Sequence, residues 1–349
     1  MKAFVLHGGG RAGLEEVARP EPGPGEVRLR VAATALNHLD VFARRGLTGP
    51  GIRAHRYPHV SGIDVAGVVD AVGPGVKDLP TGTAVVVYPG MSCGRCEFCH
   101  RGETSMCPDY RIFGEQTWGG LAEHSIVPAG NLLILPDGFD LRLAAAAPAA
   151  FTTAWRLVVT AGQLRPGERA LIVGAGGGVT SAALLIAAAA GAFVYATSGA
   201  DWKVEKALAM GAVAAVNHSR HGFDEWILEV TGGRGVDLVV DSAGAATWPR
   251  SIRSLAPGGR LCVCGATSGD LPEISIRQLY QAHRRIIGAP MGGRKDFDAV
   301  MSLVLRGRLE PIVHAVYPLE RAADALDELE AGRQFGKIVL EPRPRGGEP

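Results

Sequence analysis

The sequence predicts an α/β fold in two domains, one a strongly bent β-rich sheet and the other a doubly wound parallel sheet flanked by helices. Three observations predict it. At 349 residues, 47% of them hydrophobic, the chain exceeds the roughly 250–300 residues at which a single core stops growing. Up to about residue 155, short apolar runs bounded by Gly and Pro dominate. Beyond that point short apolar strands alternate with Ala-rich helices, which is the pattern of βαβ units.

In the first region, residues 1–7 form an apolar strand, 27–31 alternate apolar and charged residues, and 65–72 and 84–88 are Val-rich runs. The clearest helix covers 37–45 and stops at Gly46. In the second region, strand 170–173 leads through glycines into a helix over 179–190. Strand 193–197 precedes a helix at 202–210, followed by a strand at 212–216. Strands at 237–241 and 260–264 flank a helix near 247–255, and a last αβαβ stretch over about 297–340 can return to the first domain. The domains are therefore expected at 1–155 with 291–349, and at 156–290. The 48 Gly and 22 Pro are spread along the chain, so they mark turns, and only 342–349 reads as a disordered tail.

Thirty-six basic against 35 acidic residues leave a net charge of +1, which draws the chain neither to nucleic acid nor to an anionic membrane. A small-molecule substrate is expected. The start lacks a signal peptide's apolar region and cleavage site, and no run reaches the ~18 apolar residues of a membrane span. A reducing, cytoplasmic setting follows, in which the clustered Cys residues suit metal better than disulfides.

Leu171-Ile172-Val173 runs into Gly174-Ala175-Gly176-Gly177-Gly178 and then Val179, placing backbone N–H groups and a helix N-terminus where a dinucleotide pyrophosphate would lie. At the end of the next strand, where an acid would bind the ribose diol, the chain has Thr197-Ser198-Gly199. An uncharged Ser198 leaves room for a 2′-phosphate, and Lys203 can supply charge to it. NADP(H) is therefore expected over NAD(H), unless Ser198 is a helix cap and Lys203 a solvated surface charge.

Cys93, Cys96 and Cys99, followed by Cys107, bring four thiolates onto one loop, the ligand set of a closed tetrahedral zinc site. With four sulfur ligands no position stays open for water or substrate, so one structural zinc per chain is expected in the lobe 93–107.

Over nearly its whole length the chain resembles the zinc-containing medium-chain dehydrogenase/reductase superfamily. Gly62-x-Asp64-x-x-Gly67-Val68-Val69, Val72-Gly73-Pro74-Gly75-Val76 and Pro257-Gly258-Gly259-Arg260 carry the resemblance with the Cys lobe and glycine turn. It implies a GroES-like substrate domain and a Rossmann dinucleotide-binding domain. It also implies cofactor contacts at Gly176, Gly177, Gly178, Val179, Ser198, Lys203 and His218, and at Gly265, Ala266 and Lys337. Ala35-Leu36-Asn37-His38-Leu39-Asp40 is similar to the quinone-oxidoreductase and enoyl-reductase branch, and to chains labelled alcohol dehydrogenase. Where zinc alcohol dehydrogenases hold a catalytic ion, this chain has Asn37, Ile63-Asp64 and, nearby, Ala149, so only Asp64 could ligate. Thr180 stands where the superfamily has its third glycine, which is expected to loosen the helix–strand approach slightly.

Without a Lewis acid, an enone or quinone acceptor is favoured over a simple alcohol, because its oxyanion is delocalised and needs only hydrogen-bond donors. Asn37 is expected to donate an amide N–H to the substrate oxygen, Asp40 to orient the loop, and His38 or His59 to shuttle a proton. Helix capping is the competing role for Asn37 and Asp40. His38, His55 and His59 together offer another possible metal site. Two other functions stay open: a zinc-type alcohol dehydrogenase, and a non-catalytic dinucleotide-binding redox sensor. The apolar strand Ile286-Ile287-Gly288-Ala289 suggests pairing across a two-fold axis in a homodimer or homotetramer.

Overall fold

The computed structural model describes residues 1–47 and 56–342. His55 and residues 343–349 of the expected tail lie outside them. The chain divides into two compact units, Met1–Ala149 with the segment from Gly293 onward, and Ala150–Gly292.

In the first unit the long strand Glu26–Ala35 pairs antiparallel with Asp64–Val72, His124–Pro128 and Lys337–Glu341. Register shifts after Arg28 and Val31 bend it, as bulges do. The C-terminal strands Val313–Pro318 and Lys337–Glu341 extend the same sheet, so the last αβαβ stretch completes the first unit. Phe4, Val5, Leu6, Leu319, Leu326 and Leu340 share one core there. The helix His38–Arg45 begins where Asp40 accepts the Asn37 backbone N–H at 2.7 Å and ends at Gly46, whose φ of 66° is left-handed.

The second unit holds a parallel sheet with strands in the order Ala214–Asn217, Phe193–Ser198, Arg169–Ile172, Val236–Asp241, Leu255–Val263 and Arg285–Gly288. The order turns around at Arg169–Ile172, the switch point at which doubly wound sheets bind ligands. Helices Gly178–Ala189, Asp201–Ala209, Phe223–Val230 and Trp248–Arg253 connect these strands.

Two helices, Leu141–Ala146 and Pro148–Trp155, occur in the stretch expected to be mostly strand. Their Ala-rich sequence has no polar face to set a period, because Ala144, Ala145, Ala146 and Ala147 are all wholly buried. The unit boundary falls within Pro148–Trp155 rather than after it.

Candidate active site, metal lobe and dinucleotide turn

The first unit contains a closed polar cluster formed by residues far apart in sequence. Asp64 opens its strand with a fully buried carboxylate. Oδ1 accepts the Ala149 backbone N–H at 2.7 Å, while Oδ2 accepts Asn37 Nδ2 and Lys337 Nζ, both at 2.9 Å. The Lys337 ammonium also donates to Asn37 Oδ1 at 2.7 Å. Its third N–H has no hydrogen-bond partner among the described residues. Lys337 is 4% exposed and leads a strand buried at every position, where an unpaired charge would be untenable.

This geometry bears on two expected roles. Asn37 Nδ2 already donates to Ala35 O at 3.2 Å and to Asp64, so both amide hydrogens expected to serve a substrate are spent within the fold. Lys337, expected beside the cofactor, has its ammonium on Asp64 and Asn37.

Asp40 is also fully buried and accepts from Ser61 Oγ, the Gly62 N–H at 2.9 Å and the Asn37 N–H. It orients this loop and caps the helix at once. Burial raises its pKa, against the opposing pull of those hydrogen bonds. His59 is buried, with Nε2 3.0 Å from Gly114 O; since a carbonyl can only accept, that nitrogen carries the proton and anchors a loop. His38 is exposed at the surface of this unit, and partial desolvation followed by the Lys337 charge holds its pKa below the ordinary imidazole range.

In the lobe, the four Sγ atoms of Cys93, Cys96, Cys99 and Cys107 lie within 4.8 Å of one another, and among the described residues they are the group of metal-ligating side chains that converges in this way. Cys107 is buried, and its sulfur accepts the Cys93 N–H at 3.5 Å. A hydrogen bond from Ser92 is the first cause holding the Cys99 thiol down at about 6. Lys295 Nζ donates to Arg101 O at 3.2 Å and the Arg294 N–H to Thr104 Oγ1 at 3.3 Å, so the lobe is moored to the start of helix Arg294–Leu305.

In the second unit Gly174, with φ of 74°, turns the chain out of its strand. Thr197 holds that turn, accepting the Gly174 N–H on Oγ1 at 3.2 Å and the Ala175 N–H on its carbonyl at 2.8 Å. Helix Gly178–Ala189 then starts at Gly177 with no side-chain cap, so the first-turn N–H groups, including those of Gly178 and Val179, remain for an anionic ligand. The Thr180 hydroxyl, with its one hydrogen shared between Gly174 O at 2.5 Å and Gly177 O at 3.2 Å, ties the turn to the start of the helix.

At the end of the next strand Ser198 is buried, its carbonyl accepting the His218 N–H at 2.9 Å. Lys203 lies in the first turn of helix Asp201–Ala209, and desolvation lowers its pKa. Gly265 passes so close to Ser242 that a Cβ there would sit 2.6 Å from its carbonyl oxygen, and a Cβ on Gly244 would sit 2.8 Å from Ala266 Cα.

The Lys337–Asp64 pair spans 273 residues and was not read from the sequence. The available signal was a lysine heading the apolar run Ile338-Val339-Leu340.

Residues 23–137 match the family model described as alcohol dehydrogenase GroES-like domain, and residues 178–306 match the zinc-binding dehydrogenase model. An NAD-dependent alcohol dehydrogenase of Sulfolobus acidocaldarius is 31% identical, over 98% of this chain and 99% of its own. A crotonyl-CoA reductase of Streptomyces avermitilis is 30% identical, over 96% of this chain and 83% of its own. Among solved structures, an NAD-dependent alcohol dehydrogenase superposes with a TM-score of 0.92 at 41% identity, covering 98% of this chain and 100% of that one. A 2-octenoyl-CoA carboxylase reductase in complex with NADP and 2-octenoyl-CoA gives a TM-score of 0.90 at 27% identity, covering 99% and 88%.

Proposed function

Since the chain belongs to the zinc-binding dehydrogenase family with a GroES-like domain, and is thus an oxidoreductase, we propose that it uses NADPH to reduce a carbonyl-conjugated acceptor of the enone, enoyl or quinone type, with no catalytic zinc. The observation that carries this reading is the Asn37–Asp64–Lys337 cluster. Three hydrogen bonds occupy the Asp64 carboxylate, and the neighbouring ligand places hold Ile63, buried and apolar, and Ala149. This donor set does not fit an open three-ligand metal site.

The bound dinucleotide would supply the hydride. Lys337 offers positive charge and an N–H to the oxygen on which negative charge develops, and Asn37 and Asp64 hold that ammonium in place. His38, neutral near pH 7 because desolvation and the Lys337 charge lower its pKa, serves as a proton carrier rather than a standing cation. The enoyl-CoA-named relatives support the acceptor class. A turnover screen with NADPH and NADH against enones, enoyl thioesters, quinones, aldehydes and alcohols tests it, and activity confined to alcohol–aldehyde pairs would replace it with the alcohol dehydrogenase reading.

The Cys lobe fits one structural zinc, because four converging sulfurs leave no open position. Elemental analysis of purified protein should give about one zinc per chain, and about two would mean a catalytic metal. Chelation should expose the lobe and the start of helix Arg294–Leu305 to proteolysis while dinucleotide affinity stays within about twofold, since the glycine turn folds in the other unit. A parallel loss of NADPH binding would contradict this.

Strand Arg285–Gly288 ends its sheet with one edge unpaired among the described residues, and Leu271, Ile276 and Tyr280 beside it in sequence are exposed. We infer a homodimer that pairs these edges. Light scattering at micromolar concentration should give twice the chain mass or a multiple of it, and a monomer would exclude this arrangement.

A further inference from the structure

The strand order of the second unit turns around at Arg169–Ile172, so a dinucleotide whose pyrophosphate lies on the glycine turn has its two halves on opposite sides of that strand. Ser198 ends the strand on one side. The nicotinamide half then lies over the carboxyl ends of strands Val236–Asp241 and Leu255–Val263 on the other. The loops that follow these two strands hold one another. Ala243 O accepts the Ser268 N–H and the Ser268 hydroxyl, both at 2.7 Å, Ser268 Oγ accepts the Ala246 N–H at 3.1 Å, and Gly269 O accepts the Ala245 N–H at 2.9 Å. The approach is so close that a Cβ on Gly244 would sit 2.4 Å from Gly269 O.

Asp241 anchors this pair of loops. Its carboxylate is wholly buried, with Oδ1 accepting the Ala243 N–H at 2.8 Å and Oδ2 accepting the hydroxyl of Ser251, itself wholly buried, at 2.7 Å. Among the described residues its hydrogen-bond partners are neutral donors and no cation pairs with it. Burying a charge without a counter-ion is costly. An amide could meet the same partners without that cost, so hydrogen bonding alone does not account for the carboxylate. Its field reaches the second loop: burial first, and then the Asp241 charge, push the thiol of Cys264, one residue before Gly265, up to about 12.

We propose that Asp241 is the counter-charge of the nicotinamide ring, favouring the oxidised cofactor over the reduced one and thereby assisting departure of the hydride. This rests on the dinucleotide-dependent reduction proposed above. The ring is neutral in NADPH and cationic in NADP+, having lost hydride to the acceptor with both electrons of the bond, while a proton from solvent completes the reduction. A fixed negative charge in a low-dielectric wall stabilises the positive charge that develops on the ring, with no reorganisation at the moment of reaction. Being wholly buried, the Asp241 carboxylate acts through its field rather than by contact.

The test is the ratio of the dissociation constants of NADP+ and NADPH, measured on the full chain by fluorescence and calorimetry and repeated with NAD+ and NADH. Asp241→Asn keeps an acceptor for the Ala243 N–H and offers Ser251 an N–H. It should weaken NADP+ roughly threefold to tenfold while NADPH stays within about twofold, as expected when one buried unit charge is removed. Asp241→Ser, equally neutral, should shift the ratio in the same way, and decides the matter should the asparagine variant not fold. Ser251→Ala keeps the charge and should keep the ratio, and thermal unfolding without ligand reports the fold of each variant. In Asp241→Asn, kcat for acceptor reduction should fall by a similar factor with KM for NADPH unchanged. Equal weakening of both forms, or no change in either, would make Asp241 a structural anchor alone and overturn the proposal. A wild-type chain that binds only NAD+ and NADH would end the NADPH reading instead, and the same ratio read on that pair would still decide the role of Asp241.

Discussion

Replacing Lys337 by Met is expected to destabilise the first unit by about 3–5 kcal/mol, the loss that follows when one partner of a buried ion pair is removed. The reason lies with Asp64. Its carboxylate is fully buried, and without the ammonium it keeps only the Asn37 amide and the Ala149 N–H as donors. Urea unfolding should show a lower midpoint, and Asp64→Asn combined with Lys337→Met should recover much of the loss, because no charge is then left unpaired. Turnover of the conjugated acceptor should fall roughly a hundredfold or more with NADPH affinity unchanged, as expected for loss of a charge-stabilising donor. A variant as stable as wild type but deficient in NADPH binding would place Lys337 beside the cofactor instead.

Cofactor choice should respond as strongly to a single side chain. An acid in place of Ser198 would accept the ribose hydroxyls and repel a 2′-phosphate, and in this chain that repulsion is absent. Lys203 adds attraction from a partly desolvated position, and a charge-assisted contact of that kind contributes about 1.5–3 kcal/mol, roughly tenfold to a hundredfold in affinity. NADPH should therefore bind more tightly than NADH by about that factor. Ser198→Asp should reverse the order, and Lys203→Ala should weaken NADPH while leaving NADH nearly unchanged. Equal or tighter binding of NADH by the wild-type chain at physiological salt would show that Ser198 and Lys203 do not set the preference.

Features whose cause is local were legible in the chain itself. The glycines that end strand Arg169–Ile172, the left-handed stop at Gly46 and the Cys spacing each depend on residues within about one turn or loop. Alternation of strands and helices led to the parallel sheet because each βαβ unit is built from consecutive residues. The helices between residues 141 and 155 have no signature in the sequence, because alanines buried on all sides carry no amphipathic period.

The sequence by itself thus determined a bent β unit with a thiolate lobe, a doubly wound unit with an uncapped helix at its glycine turn, and an uncharged residue at Ser198. Only the tertiary structure decided what the polar residues of the first unit do. Asn37, Asp64, Ala149 and Lys337 come from four distant segments, and each looks like an ordinary cap, strand or surface residue beside its own neighbours. Bringing them together changes their chemistry, because a buried carboxylate must find donors and a buried ammonium must find acceptors. That requirement commits both hydrogens of the Asn37 amide to the fold and sets the Lys337 charge against Asp64.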